Sequence, residues 1–272
     1  MGDLDGRTFL VTGANIGIGR ATAVELGRRG GRVFVACRSE ARARSVLEEL
    51  GDRGVFLALD LGELSSVRAC AKSFLERDEP LHVLINNAGV AGQRGTTSDG
   101  FELTFGANHL GHFLLTTLLL DRLEASAPAR IVNVSSVGHY QAKGIDWDAL
   151  RKPTRSFTAL PEYAVSKLCN VLFTQELARR LDGSGMTSYA LHPGAIASNI
   201  WKRVPWPIRP VMKMFMKSSE EGAATSLWCA TAPELAGESG RYYDDCKEKD
   251  PSSVATPELG RELWERSEAW TS

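Results

Sequence analysis

Tyr163-Ala164-Val165-Ser166-Lys167 sets a phenol and an ammonium four residues apart. On a helix such a pair shares one face, a turn apart. A free tyrosine hydroxyl, with a pKa of about 10, exchanges protons poorly at neutral pH. A nearby ammonium favours the phenolate and lowers that pKa. Moving it about three units towards neutrality takes about 4 kcal/mol of differential interaction. The pair is thus a candidate acid–base centre. The same spacing also suits a half-buried tyrosine beside a solvated lysine, so its surroundings must decide.

A second constellation lies near the start. Thr8-Phe9-Leu10-Val11 reads as an apolar strand running into Thr12-Gly13-Ala14-Asn15-Ile16-Gly17-Ile18-Gly19, with a helical pattern from Arg20 to Arg29. Gly13 permits the tight turn, while Gly17 and Gly19 let backbone and helix approach a pyrophosphate. The helix start offers unpaired N–H groups and the positive dipole end to phosphate. A glycine-rich loop alone is weak evidence; the flanking strand and helix give it meaning.

These sites need a scaffold, and the chain supplies a regular one. Strands are expected over Thr8–Val11, Arg32–Ala36, Val55–Leu59, Val83–Ile85, Arg130–Val134 and Thr187–Leu191, with a weaker last one at Arg241–Tyr243. Helical stretches start near Gly19, Glu40, Glu63, Phe101, Leu160 and Ser219. The alternation predicts an α/β fold: a Rossmann-type, doubly wound parallel sheet of about seven strands with helices on both faces. A ligand then sits at the carboxyl ends of the strands, where the strand order reverses. No repeat or linker interrupts residues 1–272, so one domain is expected. Thr256-Pro257-Glu258 has the cap, proline and acidic residue of a helix start. The terminal helix, about 257–270, carries Leu259, Leu263 and Trp264 to the body.

Composition excludes several classes. An apolar fraction of 43% supports an ordinary core, and a formal net charge of −1 suggests no nucleic-acid partner. The five cysteines, Cys37, Cys70, Cys169, Cys229 and Cys246, lack paired spacing. They read as free thiols of a reducing, cytoplasmic compartment. His109, His112, His139 and His192 show no ligand spacing, so no metal site is expected. The first strand starts almost at Met1, leaving no room for a signal peptide. No apolar run reaches the ~18 residues of a membrane span.

Thr12-Gly13-x-x-x-Gly17-x-Gly19, Asn86-Asn87-Ala88-Gly89, Asn108, Ser135-Ser136, Tyr163-x-x-x-Lys167 and Pro193-Gly194 stand in the order of the short-chain dehydrogenase/reductases. The chain resembles that family from Gly6 to about Tyr243. Ala36-Cys37-Arg38, Asn108-His109-Leu110-Gly111-His112-Phe113, Lys167–Phe173, His192-Pro193-Gly194 and the tail Leu263–Ser267 are similar to the retinol dehydrogenase branch. Many animal members of that branch carry an N-terminal membrane anchor, and this chain shows none.

The resemblance implies a role for each motif. Tyr163 exchanges the proton with a carbonyl or alcohol oxygen. Lys167 binds the nicotinamide ribose and depresses the tyrosine pKa. Ser136 hydrogen-bonds the same substrate oxygen, and Asn108 holds a water between Lys167 and solvent. Ser135 competes for the serine role; Ser136 matches the second serine of the family pair. Gly13, Asn15, Ile16, Gly17, Ile18 and Gly19 form the phosphate loop. Ile16 stands where the branch commonly has serine, at the cost of one hydroxyl contact. Asp60 and Leu61 meet adenine, and Asn87, Ala88 and Gly89 wall the cofactor. Pro193 and Gly194 turn the chain, and Ile196 and Ser198 reach the nicotinamide amide. An acidic residue ending the second strand selects NAD; Cys37 occupies that place and Arg38 follows. A guanidinium pairs bidentately with a 2′-phosphate, with Arg20 a candidate helper, so NADP(H) is the expected cofactor.

The gap between Ser136 and Tyr163 holds a polar loop, Gly138–Leu160, with Trp147 expected to line the site. Residues 199–217 are rich in Trp, Met and Pro and carry basic residues; they read as a substrate lid with at most peripheral membrane contact. The implied reaction interconverts a lipophilic, retinal-like aldehyde or ketone and its alcohol. Small aryl or xenobiotic carbonyls are an alternative substrate class. A non-catalytic NADP-binding regulator is the reading of another class, opposed by the intact Asn108, Ser136, Tyr163 and Lys167. The helices near 101–123 and 160–181 carry more apolar surface than one buried stripe requires; homodimerisation through them and core packing both account for it.

Overall fold

The computed structural model describes residues 2–194 and 218–272. Ile196, Ser198 and the lid expected at 199–217 lie outside the described residues.

The strands form where short apolar runs can be buried on both faces. β1 (Thr8–Thr12), β2 (Arg32–Cys37), β4 (Val83–Asn86), β5 (Ala129–Val134) and β6 (Met186–His192) are almost wholly buried. Such continuous burial is what a central parallel strand needs. β3 (Gly54–Ala58) is more open, and β7 (Arg241–Asp244) and β8 (Lys247–Lys249) close the other side. The sheet order is β3-β2-β1-β4-β5-β6-β7-β8. Strands β1 to β7 pair in parallel, and β8 runs antiparallel to β7. The order reverses between β1 and β4, whose carboxyl ends define the crevice.

Helices cover both faces. α1 (Gly17–Arg28) buries Gly19, Thr22, Ala23 and Leu26, a stripe at helical spacing. With α2 (Glu40–Leu50) it packs on the Phe9, Val11, Val33, Val35 and Ile85 side of the sheet. The opposite side, carrying Leu10, Phe34, Leu84 and Ile131, meets α3 (Leu64–Leu75) and α4 (Gly111–Ala125). Alternate residues of β1 thus serve opposite cores, as pleating requires. A helical turn at Leu103–Phe105 and a π turn at Gly106–Leu110 lead into α4. α5 (Leu160–Arg180) crosses the same face, α6 (Ser219–Thr231) packs beside α1, and α7 (Pro257–Thr271) ends the chain.

Two features differ from the sequence expectation, and a third bears on readings it left open. The sheet has eight strands, because Asp245 and Cys246, both at positive φ, turn the chain back and pair Lys247–Lys249 with β7. That strand is charged and exposed throughout, so no apolar alternation announces it. Trp147 packs on the terminal helix: its ring lies 6.4 Å from Trp270 and under the Arg266 guanidinium at 4.6 Å, both on α7. An indole suits that place because it can cover apolar surface of the terminal helix. The apolar excess on α4 and α5 is covered within the chain by α7, whose Trp264 lies against Phe113 and Phe173. Leu118 and Leu120 of α4 remain partly buried.

Candidate active site

The glycine turn is built for close approach. A Cβ on Gly19 would stand 2.3 Å from Asn87 Nδ2 and 2.5 Å from the Gly13 carbonyl oxygen. Gly13 has φ +67°, and a Cβ there would lie 3.0 Å from Ala88 Cα. Gly17 has φ +59° with open space where its side chain would be. The Thr12 hydroxyl accepts the N–H groups of Asn87 and Ala88 at 2.9 Å each, and Asn87 Nδ2 donates to the Thr12 carbonyl at 2.8 Å. The loops after β1 and β4 are thereby locked edge to edge. No side chain caps the start of α1, and its N-cap Ile16 is 60% exposed. Uncapped N–H groups behind a bare glycine are a fitting cradle for a pyrophosphate, so the residues present fit a dinucleotide.

Other expected cofactor positions sit along the same edge. Arg38 follows β2 and is exposed. Arg20 is paired with Glu49 at 2.5 Å. Asp60 lies past the end of β3 and accepts the Gly62 N–H at 2.9 Å; Leu61 is buried. Asn15 and Ile18 lie in the loop and in the first turn of α1. Pro193 and Gly194, the latter at φ +91°, follow β6 directly.

Ser136, Tyr163 and Lys167 converge where β5 ends over α5. Ser136 caps a short 3₁₀ turn, Val137–Gln141, its oxygen accepting the Gly138 N–H at 3.1 Å. A Cβ on Gly138 would stand 3.4 Å from Ser136 Oγ and 3.5 Å from Tyr163 Cε1, so this glycine lies between serine and tyrosine. Burial raises the Tyr163 pKa above its ordinary value, opposed by a hydrogen bond from the Ser136 hydroxyl. Burial also lowers Lys167 to about 8. Its ammonium donates to the Val134 carbonyl at 2.8 Å and lies 5.6 Å from the Tyr163 ring centroid. The expected pull of Lys167 does not lower the tyrosine here: burial dominates and favours the neutral phenol. That is the form that can give a proton.

Ser135 is a different serine. It is 2% exposed, and its hydroxyl donates to the Lys167 main-chain carbonyl at 2.8 Å. Ser135→Ala is expected to cost about 1 kcal/mol of stability, the worth of one hydrogen bond, with kcat within about threefold of wild type. Ser136→Ala is expected to cost a similar ~1 kcal/mol through the lost cap on Gly138 and, unlike Ser135→Ala, to lower kcat by about 10²-fold, as for a lost oxyanion donor. Steady-state rates, with thermal melts as the control for folding, separate the two.

Asn108 lies in the π turn, a distortion common at functional sites. Its amide donates to the Val90 carbonyl at 3.0 Å and to Ser166 Oγ at 3.0 Å, and Oδ1 accepts the Val90 N–H at 2.7 Å. Ser166 in turn donates to the Tyr163 carbonyl at 2.8 Å. Both amide protons are therefore spent inside the protein, and any contact with solvent falls to the oxygens of Asn108. A Cβ on Gly89 would lie 3.4 Å from Asn108 Oδ1 and 3.5 Å from Lys167 Nζ, so the wall residues, Asn108 and Lys167 share one locus.

Sequence reasoning passed over Val90 and Ser166, which hold Asn108, and the hydroxyl of Thr12. Only the three-dimensional hydrogen bonding reveals these. His109 and His112 are buried, with burial pulling their pKa values to about 3 and about 4, and His112 bridges the Thr12 hydroxyl (2.8 Å) to the Asn108 carbonyl (2.9 Å). Among the described residues no group of His, Cys, Asp or Glu could hold a metal. Among them, too, no helix is long and apolar enough to cross a membrane.

Comparison with known proteins matches this geometry. A family model described as short chain dehydrogenase matches residues 7–147. Retinol dehydrogenase 13 of Homo sapiens is 46% identical over 279 residues, covering 97% of this chain and 84% of its own. Retinol dehydrogenase 12 of Mus musculus is 45% identical, covering 96% and 85%. A crystal structure of an uncharacterised protein from Mycobacterium paratuberculosis superposes with a TM-score of 0.81 at 32% identity, covering 100% of this chain and 98% of that one. A parallel sheet with its crevice at the β1–β4 reversal, a bare glycine cradle there, and a serine, tyrosine and lysine gathered beside it are what that kinship predicts: the chain belongs to the short-chain dehydrogenase/reductases, in their retinol dehydrogenase-like branch, and is an oxidoreductase of CH–OH and C=O groups that takes a nicotinamide cofactor.

Proposed function

We propose that the protein is an NADP(H)-dependent oxidoreductase that interconverts a lipophilic, retinal-like aldehyde or ketone and its alcohol. The convergence of Ser136, Tyr163 and Lys167 beside the glycine cradle carries the reading. The bound cofactor supplies or accepts the hydride. In reduction, the neutral Tyr163 hydroxyl gives its proton to the carbonyl oxygen. Ser136 donates a hydrogen bond to that same oxygen as charge builds on it. Lys167, anchored on the Val134 carbonyl, holds the ribose and offsets the phenolate left behind. The ordinary cellular excess of NADPH drives the reaction towards the alcohol.

The substrate class draws support from the relatives named above and from the mouth of the site. Val137, next to Ser136, is 45% exposed; Phe157 and Leu160, just ahead of Tyr163, are 88% and 46% exposed. Apolar side chains flanking both catalytic segments suit an apolar substrate. The free state of all five cysteines fits a reducing compartment such as the cytoplasm.

The test is oxidation of NADPH and of NADH with all-trans-retinal, a medium-chain aldehyde and an aryl ketone. Fastest turnover of NADPH with retinal supports the reading; turnover of the small carbonyls alone keeps the chemistry and removes the retinoid. Arg38→Asp is expected to lower kcat/KM for NADPH by about 10²-fold, since a charged hydrogen bond contributes about 1.5–3 kcal/mol and a carboxylate repels the phosphate. NADH should be used as well as before or better. Equal losses with both cofactors would remove Arg38 from cofactor choice.

A pH profile tests Lys167. Its ammonium form is required, and burial sets its pKa at about 8. The proton is lost as pH rises, so kcat/KM for the cofactor should fall above a pH of about 8, because that ratio reports the free enzyme. In Lys167→Arg the alkaline limb should vanish, whatever activity remains.

A further inference from the structure

His139 is buried to 0% exposure, three residues past Ser136, and the chemistry described so far does not use it. Its ring makes two hydrogen bonds whose directions are fixed by their partners. Nδ1 lies 2.7 Å from the Ser136 carbonyl oxygen, which can only accept, so Nδ1 carries the proton. Nε2 lies 3.1 Å from the Ser252 backbone nitrogen, which can only donate, so Nε2 is bare. Protein partners alone thus select one neutral tautomer. The Ser136 carbonyl also accepts the His139 N–H at 3.0 Å, so ring and backbone of one residue clasp the same oxygen. The ring is packed against Tyr140 at 4.0 Å and Tyr242 of β7 at 4.8 Å. Tyr140 adds a parallel tie, its hydroxyl donating to the Asp250 carbonyl at 2.6 Å.

We infer that His139 is a positioning residue for Ser136: it straps the serine's main chain to the segment after β8, 250–252, and so sets the direction of the serine hydroxyl. The inference rests on the proposed role of Ser136 as hydrogen-bond donor to the substrate oxygen. Burial alone requires partners for both nitrogens; what points to positioning is their identity, one the serine's own carbonyl and the other a strand-return segment 113 residues away. The arrangement gives the charged edge hairpin β7–β8 a purpose, since its return brings Ser252 to the back of the catalytic turn. A hydroxyl held by its own backbone is only as well aimed as that backbone, and an error near 1 Å at a reacting centre costs up to about 10²-fold.

The experiment is a double-mutant cycle on the full chain with NADPH and the best carbonyl substrate. His139→Phe keeps the ring volume and the contacts with Tyr140 and Tyr242 but loses both hydrogen bonds. It is expected to lower kcat about 10- to 100-fold with KM for NADPH within about twofold. In a Ser136→Ala background the same change should cost less than about threefold, because the group being aimed is gone. His139→Asn keeps a donor near the Nδ1 position and should recover about fivefold or more of the loss; it also serves the cycle if the phenylalanine variant does not fold. An undiminished loss in the Ser136→Ala background, or an asparagine variant no better than phenylalanine, overturns the inference and leaves the reductase reading standing. Wild-type protein that turns over no carbonyl overturns the reading and the inference with it.

Discussion

Tyr163→Phe removes one oxygen atom and is expected to lower kcat by about 10³-fold, within the range of general acid–base catalysis. Affinity for NADPH, followed by fluorescence titration, should stay within about threefold. The separation follows from where the two functions sit. The phosphate cradle is backbone, made by the glycine turn and locked by the Thr12 hydroxyl onto Asn87 and Ala88. Tyr163 lies across the crevice on α5, where its ring faces Gly138 and its oxygen meets Ser136. Phenylalanine fills the same space, so α5 and the Ser166–Asn108 link are preserved. Burial holds the tyrosine neutral, and the Lys167 ammonium is the nearby cation able to stabilise the phenolate left in the transition state. Without the phenol, hydride transfer leaves an alkoxide that only Ser136 hydrogen-bonds. A variant that keeps full turnover sinks the proton-transfer role; one that loses NADPH binding in parallel shows instead a residue that builds the cofactor site.

The parts of this arrangement that could be read from the chain are those where function acts on local sequence. Gly13, Gly17 and Gly19 announce a turn because a side chain would collide or strain there, and flanking strand and helix patterns give the turn its context. Tyr163 and Lys167 announce themselves because helical spacing alone sets them on one face. The central strands are legible because burial on both faces leaves unbroken apolar runs. What escaped depends on distant segments meeting. β8 is Lys-Glu-Lys and exists because a left-handed pair, Asp245 and Cys246, folds it back on β7. The π turn at Gly106–Leu110 carries no composition signal; it is sustained by Val90 and Ser166 gripping Asn108. Asn86 belongs to the Asn-Asn-Ala-Gly motif yet faces inward, donating to Thr116 Oγ1 and Asn133 Oδ1. Trp147 illustrates the converse error, in which an aromatic residue in a long polar loop invites a functional reading although its apolar ring is claimed by α7.

Trp264→Ala is expected to destabilise the protein by about 3–5 kcal/mol, the usual cost of deleting a large buried aromatic. The indole is 5% exposed and joins three elements: it stacks on Phe173 of α5 at 5.8 Å, meets Phe113 of α4 edge-on at 5.0 Å, and lies 4.3 Å under the Arg180 guanidinium. Its loss opens a cavity between α7, α4 and α5, the last of which carries Tyr163 and Lys167. The melting temperature should fall by roughly 10 °C, taking ~2–4 °C per kcal/mol for a domain of this size. Trp264→Phe separates packing from polarity. Among the described residues the indole Nε1 has no hydrogen-bond partner, so replacing it with an all-carbon ring removes a desolvated donor along with some volume. The two changes oppose each other, and the phenylalanine variant should lose less than half of what alanine loses. Because α7 also covers the apolar excess of α4 and α5, the alanine variant should expose those helices first. Analytical ultracentrifugation should then show more self-association than the wild-type protein shows at the same concentration. If the alanine variant stays as stable as wild type, α7 is an appendage and the apolar faces of α4 and α5 need another cover.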